Sequence, residues 1–296
     1  MSFNPEPNKQ AVEILFTRKK KSPQHPPIFF NGVQVTRVDE HKHLGLILDP
    51  KLTFQKHIVS KTKIAPKHIG TLKQFSRYLP LSTLDQLYKL YIRPHLDYCD
   101  IIYHVPPLAN NFNMSISLNS SMEMIEKTQY QAALTITGAW QGTSRNKIYD
   151  ELGWESLSDR RWCRRLLHFY KICNEMTPAY LSDIVPRQRR QLYANSNLNS
   201  YYEIFCRSSQ YQTSFFPDAI KSWNNLDDKL KTSSSFGSFK HNILNLIRPP
   251  RKFVFSAHVS MGVKLIFQLR VGLSPLRCHK KSHNFIDTPS DLYDCK

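Results

Sequence analysis

Glycine is scarce in this chain, 9 residues in 296. Neither G-x-x-x-x-G-K-[ST] nor G-x-G-x-x-G occurs. The glycine turns that let a backbone wrap a nucleotide's phosphates are therefore missing, and nucleotide-loop enzymes of those kinds are excluded. The six cysteines, Cys99, Cys163, Cys173, Cys206, Cys278 and Cys295, form no C-x-x-C. They read as free thiols of a reducing compartment rather than a disulfide framework. No apolar run approaches the ~20 residues that span a bilayer, and Ser2-Phe3-Asn4-Pro5-Glu6-Pro7 after Met1 is too polar for a secretory leader. The expected location is intracellular, cytoplasmic or nuclear, with no membrane partner. Neither G-x-S-x-G nor H-E-x-x-H is present, which removes the commonest hydrolase signatures. Acidic residues are also few, 23 against 41 lysines and arginines, for a net charge of +18 and a pI near 9.7. That balance favours a polyanion, with nucleic acid first, over a solvated basic surface that serves no partner.

What is present predicts a mainly α protein with a small N-terminal α/β part. Ala11 to Phe16 reads as a strand ending in the basic loop Arg18-Lys19-Lys20-Lys21-Ser22-Pro23. The run Phe29-Phe30-Asn31-Gly32-Val33-Gln34-Val35 places an Asn-Gly turn between apolar residues, the signature of a tight hairpin. Two or three such strands are marginal alone in water, and their edge and apolar face invite aggregation. From His57 the apolar period becomes helical, with a kink expected at Pro66. Ser82 with Asp85 predicts a capped helix start, and the Asn- and Ser-rich stretch after Val105 predicts a linker. A helix from Met122 should stop at Gly138, and Ser158 should cap the next one. Trp223 and Phe236-Phe239-Ile243-Leu246 mark two further helices.

Several of these motifs carry a resemblance. His41-Lys42-His43-Leu44-Gly45-Leu46-Ile47-Leu48-Asp49, Tyr91-Ile92-Arg93-Pro94-His95-Leu96-Asp97-Tyr98 and Trp223-Asn224-Asn225-Leu226 together resemble the reverse transcriptase of LINE-type (non-LTR, jockey-like) retrotransposons, in its C-terminal part downstream of the catalytic aspartates. The resemblance runs along nearly the whole chain. It implies a truncated polymerase palm remnant over 1–56, thumb-like helices over 57–105, a linker over 106–121, a helical basic connector over 122–248, and a basic segment over 249–296 that stops at the expected zinc knuckle. Lys9 would match the motif D lysine near the departing pyrophosphate. His43, Leu44 and Gly45 would match the primer grip, although His43 stands where the family often has tyrosine. The complete polymerase would hold Mg²⁺ on carboxylates of a tyrosine-x-Asp-Asp turn upstream of motif D. This chain is expected to start after that point, to hold no cofactor of its own and to be inactive as a polymerase.

Asp227-Asp228 is the sole Asp-Asp pair; its surroundings suit a helix cap or solvated patch better than a metal site. Asp97 and Asp100, three apart, read as surface carboxylates. Cys278, His279, His283 and Cys295 could supply four zinc ligands, but at no standard spacing. Nucleic-acid contact is placed on Arg18, Lys19, Lys20, Lys21, Arg93, Arg160, Arg161, Arg164, Arg165, Arg251 and Lys252. These cations would hold RNA or an RNA–DNA hybrid without sequence preference. Trp162 and Phe169 beside them either stack on bases or belong to the core, the second reading being preferred. Three functions stay open: a retrotransposon remnant with residual nucleic-acid affinity, a host-retained interaction module without activity, and an unrelated hydrolase that would depend on Asp227 and Asp228.

Overall fold

The computed structural model describes residues 11–19, 23–106, 116–188 and 199–247, without the side chains of 116–119. The described chain divides into two compact units, with the boundary between Lys61 and Thr62. The first unit holds the strands. Strand β1 (Val12–Glu13) pairs in parallel with β4 (Thr36–Arg37), Val12 opposite Thr36. Strands β2 (Phe29–Phe30) and β3 (Val33–Gln34) form the hairpin that Asn-Gly predicts. Asn31 and Gly32 take φ of 48° and 76°, the left-handed pair such a turn requires.

A second hairpin joins β5 (His41–His43) to β6 (Leu46–Leu48). Its turn is Leu44-Gly45, with φ of 44° and 84°. A leucine resists that conformation, yet here its side chain is 80 % exposed at the tip. The strand expected over Ala11–Phe16 shrinks to two residues because β4 offers only two partners, and Phe16 is exposed. Asp49 then turns the chain: its carboxylate accepts from Thr53 N and Oγ1, both at 3.1 Å, and from Phe54 N at 2.8 Å. Helix α1 (Gln55–Phe75) begins there and continues through Pro66, where the kink is expected. The unit boundary falls inside it.

The second unit is helical. Helix α2 (Leu81–Leu87), a π turn (Tyr88–Ile92) and α3 (Arg93–Asp97) follow one another directly. Pro94 supplies the cause of the π turn. Its ring lacks an N–H and would press on the carbonyl of residue 90 in a regular helix, and a wider turn relieves this. The N-cap of α2 is Pro80 and makes no side-chain cap bond; Ser82 is not the cap that its spacing suggests. Asp85 is instead buried, accepting from Trp154 Nε1 at 2.8 Å and pairing with Lys89 at 2.7 Å. Cys99, at φ 59°, breaks the path before α4 (Asp100–Tyr103).

Helix α5 (Ile116–Thr137) starts inside the stretch expected to be linker and ends at Gly138, whose φ is 68°. Helix α6 (Arg145–Leu152) leads to α7 (Leu157–Cys173), which packs on α4, α5 and α8 (Ala179–Ser182). Ser156 rather than Ser158 caps α7. Its Oγ accepts from Asp159 N at 3.0 Å and donates to Asp159 Oδ2 at 2.7 Å, the reciprocal geometry of a serine three residues before an acid. After α9 (Ser209–Gln212), helices α10 (Phe215–Asn224) and α12 (Phe236–Ile247) close on α7, with α11 (Asp228–Lys231) between them.

The core of this unit is aromatic. Tyr170 stacks on Phe239 with centroids 4.5 Å apart, and Phe169 meets Trp223 edge-on at 5.5 Å. Phe169 is fully buried and Trp162 packs against the same cluster, so both belong to the core. Such ring pairs add about 0.5–1.5 kcal/mol each beyond their buried area.

Candidate nucleic-acid interface

Helix α7 carries Arg160, Arg161, Arg164 and Arg165. At 3.6 residues per turn, 160 and 164 share one face while 161 and 165 share the next. The structure treats the two pairs differently. Arg161 is 2 % exposed and Arg165 1 %. Arg161 donates through Nη2 to the Leu96 carbonyl at 3.2 Å, and its guanidinium lies 5.8 Å from the centre of the Tyr103 ring. Arg165 donates to the carbonyls of Thr213, Ile101 and His104 at 3.1, 3.2 and 2.6 Å, and to Asp218 Oδ2 at 2.7 Å. Burial pushes the Arg165 guanidinium down from its ordinary value, and Asp218 pulls it back. Both arginines are internal braces. Their proposed contact with nucleic acid is corrected, because both side chains are buried and their Nη groups donate to protein acceptors.

Arg160 and Arg164 lie nearer solvent. Arg160 donates from Nε to Asp97 Oδ2 at 2.9 Å and from Nη1 to Glu155 Oε1 at 2.7 Å. Arg164 donates from Nη1 to Asp100 Oδ2 at 2.8 Å and to the Asp97 carbonyl at 3.0 Å, with 36 % of its side chain exposed. Asp97 and Asp100 are thus buried, and the surface reading of this pair is corrected. Burial raises the Asp100 carboxyl against the pull of Arg164. Arg93, half-buried on α3, reaches Asp97 only at 4.0 Å. It is held below its ordinary value first by burial and then by the neighbouring Arg160 charge.

Arg18 and Lys19 are exposed in the loop after β1, and His43 and Leu44 are exposed at the β5–β6 turn. Lys9, Lys20, Lys21, Arg251 and Lys252 lie outside the described residues, as do Cys278, His279, His283, Cys295 and the whole segment 249–296. Asp227 caps α11, its Oδ1 accepting from Lys229 N at 3.3 Å, and Asp228 pairs with the buried Lys231 at 3.3 Å. Those carboxylates have helix and lysine partners, which does not fit a pair of Mg²⁺ ions. Among the described residues no group of three or more His, Cys, Asp or Glu side chains could hold a metal ion, and no helix is long and apolar enough to cross a membrane.

The sequence reading missed Lys89, His168, Lys171 and Lys240, which line clefts together with Arg93, Arg160 and Arg164. The signal was present on α7, where 160, 164, 168 and 171 fall at helical spacing on one side. It was hidden because the denser arginine run drew attention to four adjacent cations instead.

The chain matches no family model and no solved structure. It is 30 % identical over 135 residues to "Probable RNA-directed DNA polymerase from transposon X-element" of Drosophila melanogaster. The match takes in 44 % of this chain and 13 % of that polymerase, so the chain spans a small part of its curated relative's length. This distant homology supports a relation to retrotransposon reverse transcriptases.

Proposed function

We propose that the chain is a segment of a LINE-type retrotransposon reverse transcriptase downstream of its catalytic aspartates. In this reading it binds RNA or an RNA–DNA hybrid through its basic surface, without sequence preference, and does not polymerise by itself. The observation that carries the proposal is the 30 % identity over 135 residues with a transposon's RNA-directed DNA polymerase. The net charge of +18 agrees with a polyanionic partner. The first unit would be the palm remnant with a primer-grip-like turn at His43-Leu44-Gly45, and the helices that follow would be thumb and connector. Mg²⁺ would belong to the complete polymerase, on carboxylates that this chain does not supply.

The test is binding of the purified chain to a labelled RNA–DNA hybrid across salt, beside a nucleotide-incorporation assay with Mg²⁺. The expected result is no incorporation and a log–log salt slope steeper than about −4, the mark of several phosphate contacts. Failure to bind by protein whose circular dichroism shows folded helix would overturn the nucleic-acid reading. Template-dependent incorporation would overturn the inactivity.

A further inference from the structure

Two clefts open beside α7 in the second unit. One, of about 490 Å³, lies between α7 and α12; the other, of about 360 Å³, lies against α3. They share Arg93, Arg160 and Arg164 and so adjoin at these side chains, and the two together make the groove. Its lining holds six lysines and arginines, namely Lys89, Arg93, Arg160, Arg164, Lys171 and Lys240, and a single carboxylate, Asp97. The cations come from three places remote in sequence, the π turn with α3, α7 and α12, and folding alone assembles them.

The groove is also built rather than merely charged. Asp97 and Glu155 hold Arg160 at Nε and Nη1, and Asp100 holds Arg164 at Nη1. The long side chains are thereby fixed before any ligand arrives, which lowers the entropy lost on binding. Lys171 sits over the Phe236 ring, 4.7 Å from its centre, which holds its ammonium at the groove wall. Lys240 is exposed and forms no ion pair among the described residues. From Arg160 to Lys171 the α7 face rises about 16 Å, enough to meet several phosphates of one strand.

We infer that this groove binds the sugar–phosphate backbone of one nucleic-acid strand. The inference rests on the nucleic-acid reading above and gives it a place. A duplex some 20 Å across does not enter clefts of this size, whereas a single backbone does. Lys171 and Lys240 grip phosphates as point charges, Arg164 grips one as a fork through Nε and Nη2, and Arg160 adds its Nη2.

The test uses the full chain with a short labelled single-stranded RNA, titrated between about 50 and 200 mM salt. Lys171→Glu/Lys240→Glu is compared with a charge-matched control, Lys127→Glu/Lys147→Glu, whose exposed lysines line neither cleft. Lys240→Glu alone serves as a second variant that leaves the Phe236 contact intact. The groove variant is expected to lose about tenfold or more in affinity beyond the control, and to flatten the salt slope by about 0.7 per lost phosphate. Lys240→Glu should show part of both effects. Equal losses in groove and control variants, with the native chain still binding, overturn the groove and leave the general reading standing. No binding of single-stranded RNA by the native chain overturns the groove, and the general reading falls with it only if the RNA–DNA hybrid also fails to bind. Tighter binding of polyglutamate than of RNA at equal charge would mean an acidic protein partner and likewise overturn the inference. Single-stranded DNA, run in parallel, separates the two sources of the same backbone chemistry.

Discussion

Arg165 is a cation whose surroundings leave it no freedom to serve a ligand. Three carbonyls and Asp218 take its donors in a site closed to water. Arg165→Met should lower the unfolding free energy by about 3–5 kcal/mol, since Asp218 is left buried without its partner. Arg145→Met, whose bridge to Glu123 is open to solvent at both ends, should lose about 1 kcal/mol or less. Urea unfolding of the two variants measures the contrast, and equal losses would contradict it. His104 makes a pH prediction. Burial first, and then the charges of Arg161 and Arg165, hold its imidazole well below 6.5. The unfolded chain therefore takes up the proton before the folded one does, so stability is full above 6.5 and falls as the pH drops below it. The slope contributed is at most about 1.4 kcal/mol per pH unit. Burial raises Asp100, Asp218 and Glu126, which act with the opposite sign in the carboxylate range. His104→Gln isolates the histidine: the stability difference between it and the native chain should change on crossing 6.5 and be flat above. At this scale the sequence was only half readable. It showed four arginines in six residues, but whether each faces solvent or carbonyls depends on Leu96, Ile101 and Thr213, which spacing does not place.

Helix ends tell the same story at the next scale. The block Ser156-Leu157-Ser158-Asp159 offers two serines, and the geometry uses the one three residues before the acid. Ser156→Ala should therefore cost about 1 kcal/mol of stability, while Ser158→Ala should change little; thermal melts of both variants decide between them. Glu126 adds a second fastening, accepting from Leu157 N at 3.0 Å and from the Tyr149 hydroxyl at 2.9 Å. Reading α5, α7, α10 and α12 from the sequence was straightforward, because their apolar periods run for ten residues or more and Gly138 marks a stop. Among the short elements, Asn31-Gly32 announced the β2–β3 hairpin and β1 was read as a longer strand, but the pairing of β1 and the single-turn helices were not legible. Strands β1 and β4 depend on a parallel partner more than twenty residues away, and α8, α9 and α11 are single turns whose period cannot declare itself.

For the whole molecule, the division at Lys61 separates two kinds of stability. The first unit has strands of two or three residues with Phe29, Phe30 and Val33 exposed. The second has the ring cluster around Phe169 and Trp223. Amide hydrogen exchange should run ahead in the β2–β3 and β5–β6 hairpins and lag on α7 and α10, by at least about a hundredfold if the difference in local opening exceeds 2.7 kcal/mol. Uniform protection across both units would refute this. The composition announced a basic chain but not where its cations gather, because Lys89, Arg160 and Lys240 come near one another only after three separate helices have packed. One local irregularity bears on how this assembly tolerates change. A π turn holds one residue more than the α-helical turn it replaces, and each residue turns a helix by about 100°. The extra residue is taken up inside that turn, so a single-codon deletion within Tyr88–Ile92 would keep Arg93 and Asp97 in line with α7 and leave only the Pro94 ring to press on the turn before it. The same deletion in the regular turns of α2 has no bulge to absorb it and would swing those charges about a quarter of a circle.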